Sequence, residues 1–469
     1  MRRYVFWFLS IMAIGWSQTY DLAITGGRVL DPANLIDDVL NIAISNGQIV
    51  KVTRKPVKAN QVIDASGLVV VPGFIDILAG YPNRDESAIF KVTDGVTSIV
   101  SMHGGPVDVK KWYGEIEEQG SYIHYGTTVG HASLRRAVGI EDRNTPATVE
   151  QLATMIRLAE KAIDAGALGI GFGVQYVPGA TREEVLRLFE LAVRKDVPCH
   201  LHVRYLGPHP PDNNSLAAIQ EVIAAATVTG ASVQVVHIGS IAGRSMKTAL
   251  WMIDGAREHG IDIMADVYPY TAGSTGLQST VFDPGWQERM GGISYGDIEL
   301  VKTGERLTEE SFNRYRQGKR IGVIVHFIPE EAVQLALAHP FVMVASDGVI
   351  SDGRGHPRGA GTFSRVLGKY VRELGVVSLN EAIRKMTIMP ASRLEQSDPS
   401  MRRKGRLSIG ADADIVVFDP KTVIDKATFT EPAVRSEGIE YVIVAGKVVV
   451  KKGKLQERIK AGRPIIHKK

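Results

Sequence analysis

Apolar positions along this chain follow two different rhythms. Near the start they alternate and turn often. Tyr20 to Val29 alternates around Gly26-Gly27, and Ile42-Ala43-Ile44 faces Ile49-Val50-Lys51-Val52 across Asn46-Gly47. Asn-Gly between two apolar runs predicts a tight hairpin, because both turn residues must take a positive φ. Val62 to Val71 continues the pattern until Pro72-Gly73 stops it. The same rhythm returns late, in Ile415 to Phe418 and in Tyr441 to Val444, which turns at Ala445-Gly446 into Val448-Val449-Val450. Two β-rich ends flanking a different middle predict one small β-sandwich built from residues 18–71 and 404–469.

The middle, residues 72–403, alternates short apolar runs with amphipathic helical stretches. Ser98 to Met102, Gly126 to Val129, Gly169 to Phe172, Cys199 to Val203, Val233 to His237, Ile261 to Val267 and Val342 to Ala345 read as buried strands. Between them lie helices such as Gln151 to Ala165, capped by Thr148 and ended at Gly166. This alternation predicts an α/β fold, a (β/α)8 TIM barrel with its site at the C-terminal ends of the strands. Residues 273–319 break the rhythm and are expected to insert over the barrel mouth.

The remaining composition narrows the classes. The formal charge is +4 over 469 residues and is not concentrated in one block, so no nucleic-acid partner is expected. Cys199 is the single cysteine, which excludes an internal disulfide. Residues 1–17 have the layout of a signal peptide: Arg2 and Arg3, an apolar run from Tyr4 to Trp16, then small polar residues. The run is too short to span a bilayer, so a periplasmic or secreted protein with no stable membrane span is expected.

In a barrel enzyme, polar residues that end apolar strands are the ones to question. His103, His202, His237 and Asp347 each fall where a strand should open onto the C-terminal rim. Three imidazoles and a carboxylate converging there suit zinc or another divalent ion, with a place left for water. His200 shares a strand face with His202 but lies one layer deeper. His124 and His131 flank a strand and read as structural or as supports behind the ligands.

Several motifs carry a resemblance. Val62-Ile63-Asp64-Ala65 with Gly67, then Val71-Pro72-Gly73-Phe74-Ile75-Asp76, resembles the entry to the first barrel strand of the amidohydrolase superfamily. Gly410-Ala411-Asp412-Ala413-Asp414-Ile415-Val416 resembles its return to the sandwich. Asp94-Gly95-Val96-Thr97, the run Ala265 to Thr275, Ser346-Asp347-Gly348, Gly355-His356-Pro357-Arg358 and the run Gly361 to Gly368 are similar to the N-acyl-D-amino-acid deacylases, the N-acyl-D-glutamate deacylases in particular. The resemblance implies that His202 and His237 are metal ligands on strands five and six and that Asp347 handles protons. It also implies that Arg358 holds the substrate carboxylate and that Tyr270, near the scissile group, is catalytic, as a donor to the oxyanion. Arg204 and Tyr268, within the same stretches, are further substrate-binding candidates. The expected substrate is a small N-acyl amino acid, cut at a linear amide C–N bond.

One departure stands out. The superfamily's strand-one His-x-His, the ligands of a first metal site, is replaced by Leu78 and Gly80, and His103 occupies the strand-two position. One metal ion on His103, His202 and His237 is therefore expected. The runner-up activities are opening of a cyclic amide, as in dihydroorotases and hydantoinases, and ligand binding without catalysis.

Overall fold

The computed structural model describes residues 19–80, 85–208 and 212–468; the leader expected over residues 1–17 lies outside them. The chain is α/β. Both chain ends enter one nine-stranded sheet. Tyr20–Asp31 pairs with Ile36–Ser45, Ala59–Asp64 and Val69–Pro72. The seam between the two ends is the antiparallel pairing of Val69–Pro72 with Ile415–Phe418. The Asn46-Gly47 hairpin has φ of 54° and 77°, and the Ala445-Gly446 hairpin has 47° and 77°. The two turns touch. A Cβ on Gly446 would stand 2.6 Å from the Gly47 Cα, so a side chain there would force them apart.

Eight parallel segments make up the middle: β1 (Phe74–Asp76), β2 (Val96–Ser101), β3 (His124–Thr127, resumed at Val129–Gly130), β4 (Ile170–Gly173), β5 (Cys199–His202), β6 (Val233–Val235), β7 (Ile263–Val267) and β8 (Val342–Val344). β1, β2 and the first part of β3 form one sheet; the second part of β3 joins β4 to β8 in another. Nearly all of their residues are buried, as expected for parallel strands covered on both faces. Thr128 donates to the Ser101 carbonyl and Val129 to the Gly169 carbonyl, so β3 bridges the two sheets. At the far side Asp347 N–H donates to the Leu78 carbonyl at 2.6 Å and Gly80 N–H to Gly348 at 3.2 Å, which joins β8 back to β1.

Helices separate the strands. Val149–Asp164 begins with a complete capping box between Thr148 and Gln151 and buries Met155, Ala159, Ala162 and Ile163. Such a cap contributes about 1 kcal/mol. The segment 273–319 builds its own structure. Ala272–Gly276 and Ile298–Leu300 pair on either side of Gly322–His326. A cluster of Phe282, Trp286, Tyr295 and Phe312 packs beside that sheet. Among the described residues no helix is long and apolar enough to cross a membrane.

Candidate active site

The C-terminal ends of β5 and β6 carry two buried histidines, His202 and His237. His202 ends β5, is 5% exposed, and has neither ring nitrogen bonded. His237 follows β6 with a φ of 39°, a conformation that non-glycine residues seldom adopt. Its backbone N–H donates to Asp266 Oδ1 at 2.7 Å, and Ser240 Oγ stands 2.9 Å from its Nδ1. The two rings lie 4.6 Å apart between centroids. His103, beyond the end of β2, lies 5.8 Å from the His237 ring, and its Nδ1 also lacks a partner.

Asp347 follows β8, also with a left-handed φ, of 47°. Arg358 Nη2 lies 2.8 Å from its carboxylate and His103 Nε2 3.9 Å. The Arg358 guanidinium lies 4.3 Å over the Tyr268 ring and keeps a buried Nε without a partner. His202, His237, Tyr268, Asp347 and Arg358 line one pocket. Its opposite wall comes from the segment 273–319 and the strand after it, through Ser274, Thr275, Val281, Met290, Val325 and Phe327.

The electrostatics favour neutral imidazoles. Burial, then repulsion from neighbouring histidines, holds His202 and His237 well below the usual imidazole range. Burial also lowers His103, against the pull of Asp347. Neutral imidazole is the form that binds a metal. As the side chains stand, no three His, Cys, Asp or Glu groups among the described residues are set at coordination distance. The rings are nonetheless neighbours. Each unsatisfied buried nitrogen costs on the order of 1–3 kcal/mol. By donor chemistry, neutral imidazoles suit a borderline divalent ion, which takes one nitrogen of each ring.

Two expected site residues, the substrate-binding candidate Arg204 and the catalytic candidate Tyr270, lie elsewhere. Arg204 is spent on Glu221, at 2.9 and 2.8 Å, and on the Ala180 carbonyl at 2.7 Å; it faces a separate cleft. The Tyr270 hydroxyl reaches Asp425 at 3.4 Å and the Pro357 carbonyl at 3.5 Å, and it does not line the pocket. Tyr268, two residues earlier, lines the pocket instead. His124 and His131 hold structural pairs with Asp414 at 3.0 Å and Glu184 at 2.5 Å. His200 is fully buried beside Gln234 on β6, with neither nitrogen bonded.

Some site residues escape sequence reasoning. Tyr176 packs on the His202 ring at 4.6 Å and lines the pocket. It sits past the end of β4, outside any apolar run. Asp266 holds the His237 backbone, and burial pushes its carboxyl up to about 7. Only its place in the Ala265 to Thr275 motif hints at a role.

At the strand-one rim, Leu78 is fully buried among Val100, Met102, Val236, Met343 and Ala345. A Cβ on Gly80 would lie 2.6 Å from the Val349 Cβ. This rim is packed with hydrocarbon and backbone and offers no ligand.

Known proteins are similar to this chain in sequence and fold. The amidohydrolase family model matches residues 300–450. The chain is 32% identical over 482 residues to the D-aminoacylase of Alcaligenes xylosoxydans xylosoxydans, covering 92% of this chain and 95% of that one. It is 31% identical over 473 residues to that organism's N-acyl-D-glutamate deacylase, covering 92% and 93%. Among solved structures, the N-acyl-D-glutamate deacylase of Bordetella bronchiseptica superimposes with a TM-score of 0.83 at 28% identity, over 96% of this chain and 100% of that one. That structure holds zinc and a phosphonate mimic of the reaction's tetrahedral intermediate. The chain belongs to the amidohydrolase superfamily, in its D-aminoacylase branch.

Proposed function

We propose that this protein hydrolyses the linear amide bond of N-acyl-D-amino acids with one divalent metal ion, zinc by preference, held by His103, His202 and His237. The parallel strands then read as one closed (β/α)8 barrel with its site on the C-terminal rim. The observation that carries the reading is His202: a buried imidazole with both nitrogens unpartnered, beside His237 and in the same pocket as the Asp347–Arg358 pair.

When bound, the ion supplies Lewis acidity for the amide carbonyl and a lowered pKa for water, towards about 7. The chain's own groups do the rest. The Asp347 carboxylate accepts the water proton and returns it to the amine nitrogen, which must be protonated to leave. Arg358 has an unpartnered Nε and meets the substrate's carboxylate, while the face of Tyr268 fixes the guanidinium plane. Tyr268 rather than Tyr270 is placed to donate to the oxyanion, because its side chain lines the pocket. The wall of Val281, Met290, Val325 and Phe327 excludes water around the reacting amide.

The test is turnover of N-acyl-D-amino acids by the wild type and by Asp347→Asn. The variant should lose at least about a thousandfold in kcat and keep its metal. Full activity in Asp347→Asn removes the proton carrier from the scheme. Cleavage of hydantoins but not of acyl-D-amino acids establishes a ring-amide hydrolase instead.

A further inference from the structure

The proposed mechanism leaves a buried cation unused behind Asp347. Lys91, on helix Asp85–Thr93, is 2% exposed. Its Nζ lies 3.0 Å from Asp76 Oδ2 and donates to Ser346 Oγ. Asp76, at the end of β1, is fully buried and accepts the Ser346 N–H at 2.9 Å and its hydroxyl at 2.5 Å. Ser346 Oγ in turn accepts the Gly348 N–H at 3.1 Å. The residues on both sides of Asp347 are thereby fixed to one carboxylate.

Asp347 needs that fixing. A left-handed φ of 47° is uphill for an aspartate and persists only where the surroundings over-determine it. An unpaired carboxylate at Asp76 would be too costly to bury, so the lysine is what allows Asp76 to sit beneath this turn. The other buried lysines do different work. Lys385 caps the His339 and Val342 carbonyls, and Lys404 pairs with Asp414.

We propose that Lys91, acting with Asp76 and Ser346, is a positioning residue for Asp347. It anchors the β8 turn to β1 at the rim where Leu78 and Gly80 offer no metal ligand. The inference rests on the deacylase reading only in taking Asp347 as the proton carrier. Lys91 touches no substrate; it sets the direction and distance of the carboxylate that does.

The experiment compares wild type, Lys91→Met and the double variant Lys91→Met/Asp76→Asn for kcat, KM, metal per chain and Tm. The single variant strands Asp76 and should lower Tm. The double variant is neutral and close in shape, so Tm should recover. In it kcat should stay down about 30-fold or more, with KM within about twofold and metal unchanged, because small misplacements of a reacting group cost on the order of a hundredfold. Recovery of kcat together with Tm overturns the proposal, since a purely structural pair behaves that way. Loss of metal or a raised KM overturns it too, by moving the effect to the histidines or to Arg358. If the double variant does not fold, Ser346→Ala removes only the hydroxyl and should show the same split at about tenfold. An unchanged kcat there overturns the proposal. A wild type without turnover fails the deacylase reading and this one with it; an active wild type with an equally active double variant fails this one alone.

Discussion

Two sets of strand ends, those of β5 and β6 and that of β1, differ in what their side chains leave unpaired. At β5 and β6 the strand ends carry His202 and His237, buried and short of hydrogen-bond partners. At β1 the strand continues into Leu78 and Gly80, closed by packing and by backbone bonds to Asp347 and Gly348. Both regions hold a left-handed residue beside a buried carboxylate: Asp266 accepts the His237 N–H itself, and Asp76 accepts the N–H of Ser346, the residue before Asp347. The backbone problem is solved alike on the two sides. What differs is whether polar capacity is left over. The β5–β6 side leaves ring nitrogens without partners, whereas at the β1 side Leu78 and Gly80 bring no side-chain donor and Asp347 alone reaches the pocket.

The largest expected break in that contrast is His202→Ala. It should drop metal from about one per chain to none and lower kcat/KM at least about a thousandfold, as measured by elemental analysis alongside turnover. Next is Arg358→Lys. A point charge cannot hold a carboxylate with two parallel bonds, so KM should rise on the order of a hundredfold with metal retained. On the β1 side, Leu78→Ala should cost about 2–5 kcal/mol in denaturant unfolding and leave the metal in place. Loss of metal in that variant would show that the two sides are not separate. Restoring the lost ligands sharpens the comparison further. Leu78→His/Gly80→His should still bind about one ion, because a Cβ at position 80 meets Val349 at 2.6 Å. The smallest contrast is between the tyrosines: Tyr268→Phe should lower kcat about a hundredfold, and Tyr270→Phe by less than about twofold.

Much of this was legible in the sequence. Buried parallel strands read as unbroken apolar runs, and the Asn46-Gly47 and Ala445-Gly446 turns announce themselves by composition. The histidines stood out because each interrupts such a run at its C-terminal end. Direction was harder. Tyr268 and Tyr270 share one motif, and only the fold shows that Tyr268 is the one that lines the pocket. Arg204 follows the strand that ends in His202, yet Glu221 on the next helix takes its donors. The Lys91–Ser346 contact joins residues 255 apart in sequence, and a lysine between Phe90 and Val92 gives no sign of its partner.

The seam between Val69–Pro72 and Ile415–Phe418 also sets a timetable for the chain's birth. During synthesis the early strands emerge first, and Val69–Pro72 then waits without its neighbour while nearly the whole middle is made. At about 5–20 residues per second that wait lasts on the order of tens of seconds. For that interval an apolar strand presents an open edge, the feature that invites pairing with other chains. The strand Ile415–Phe418 therefore covers that edge only after the middle is made, and truncations that remove it should yield aggregates, read by light scattering, rather than a smaller, folded enzyme.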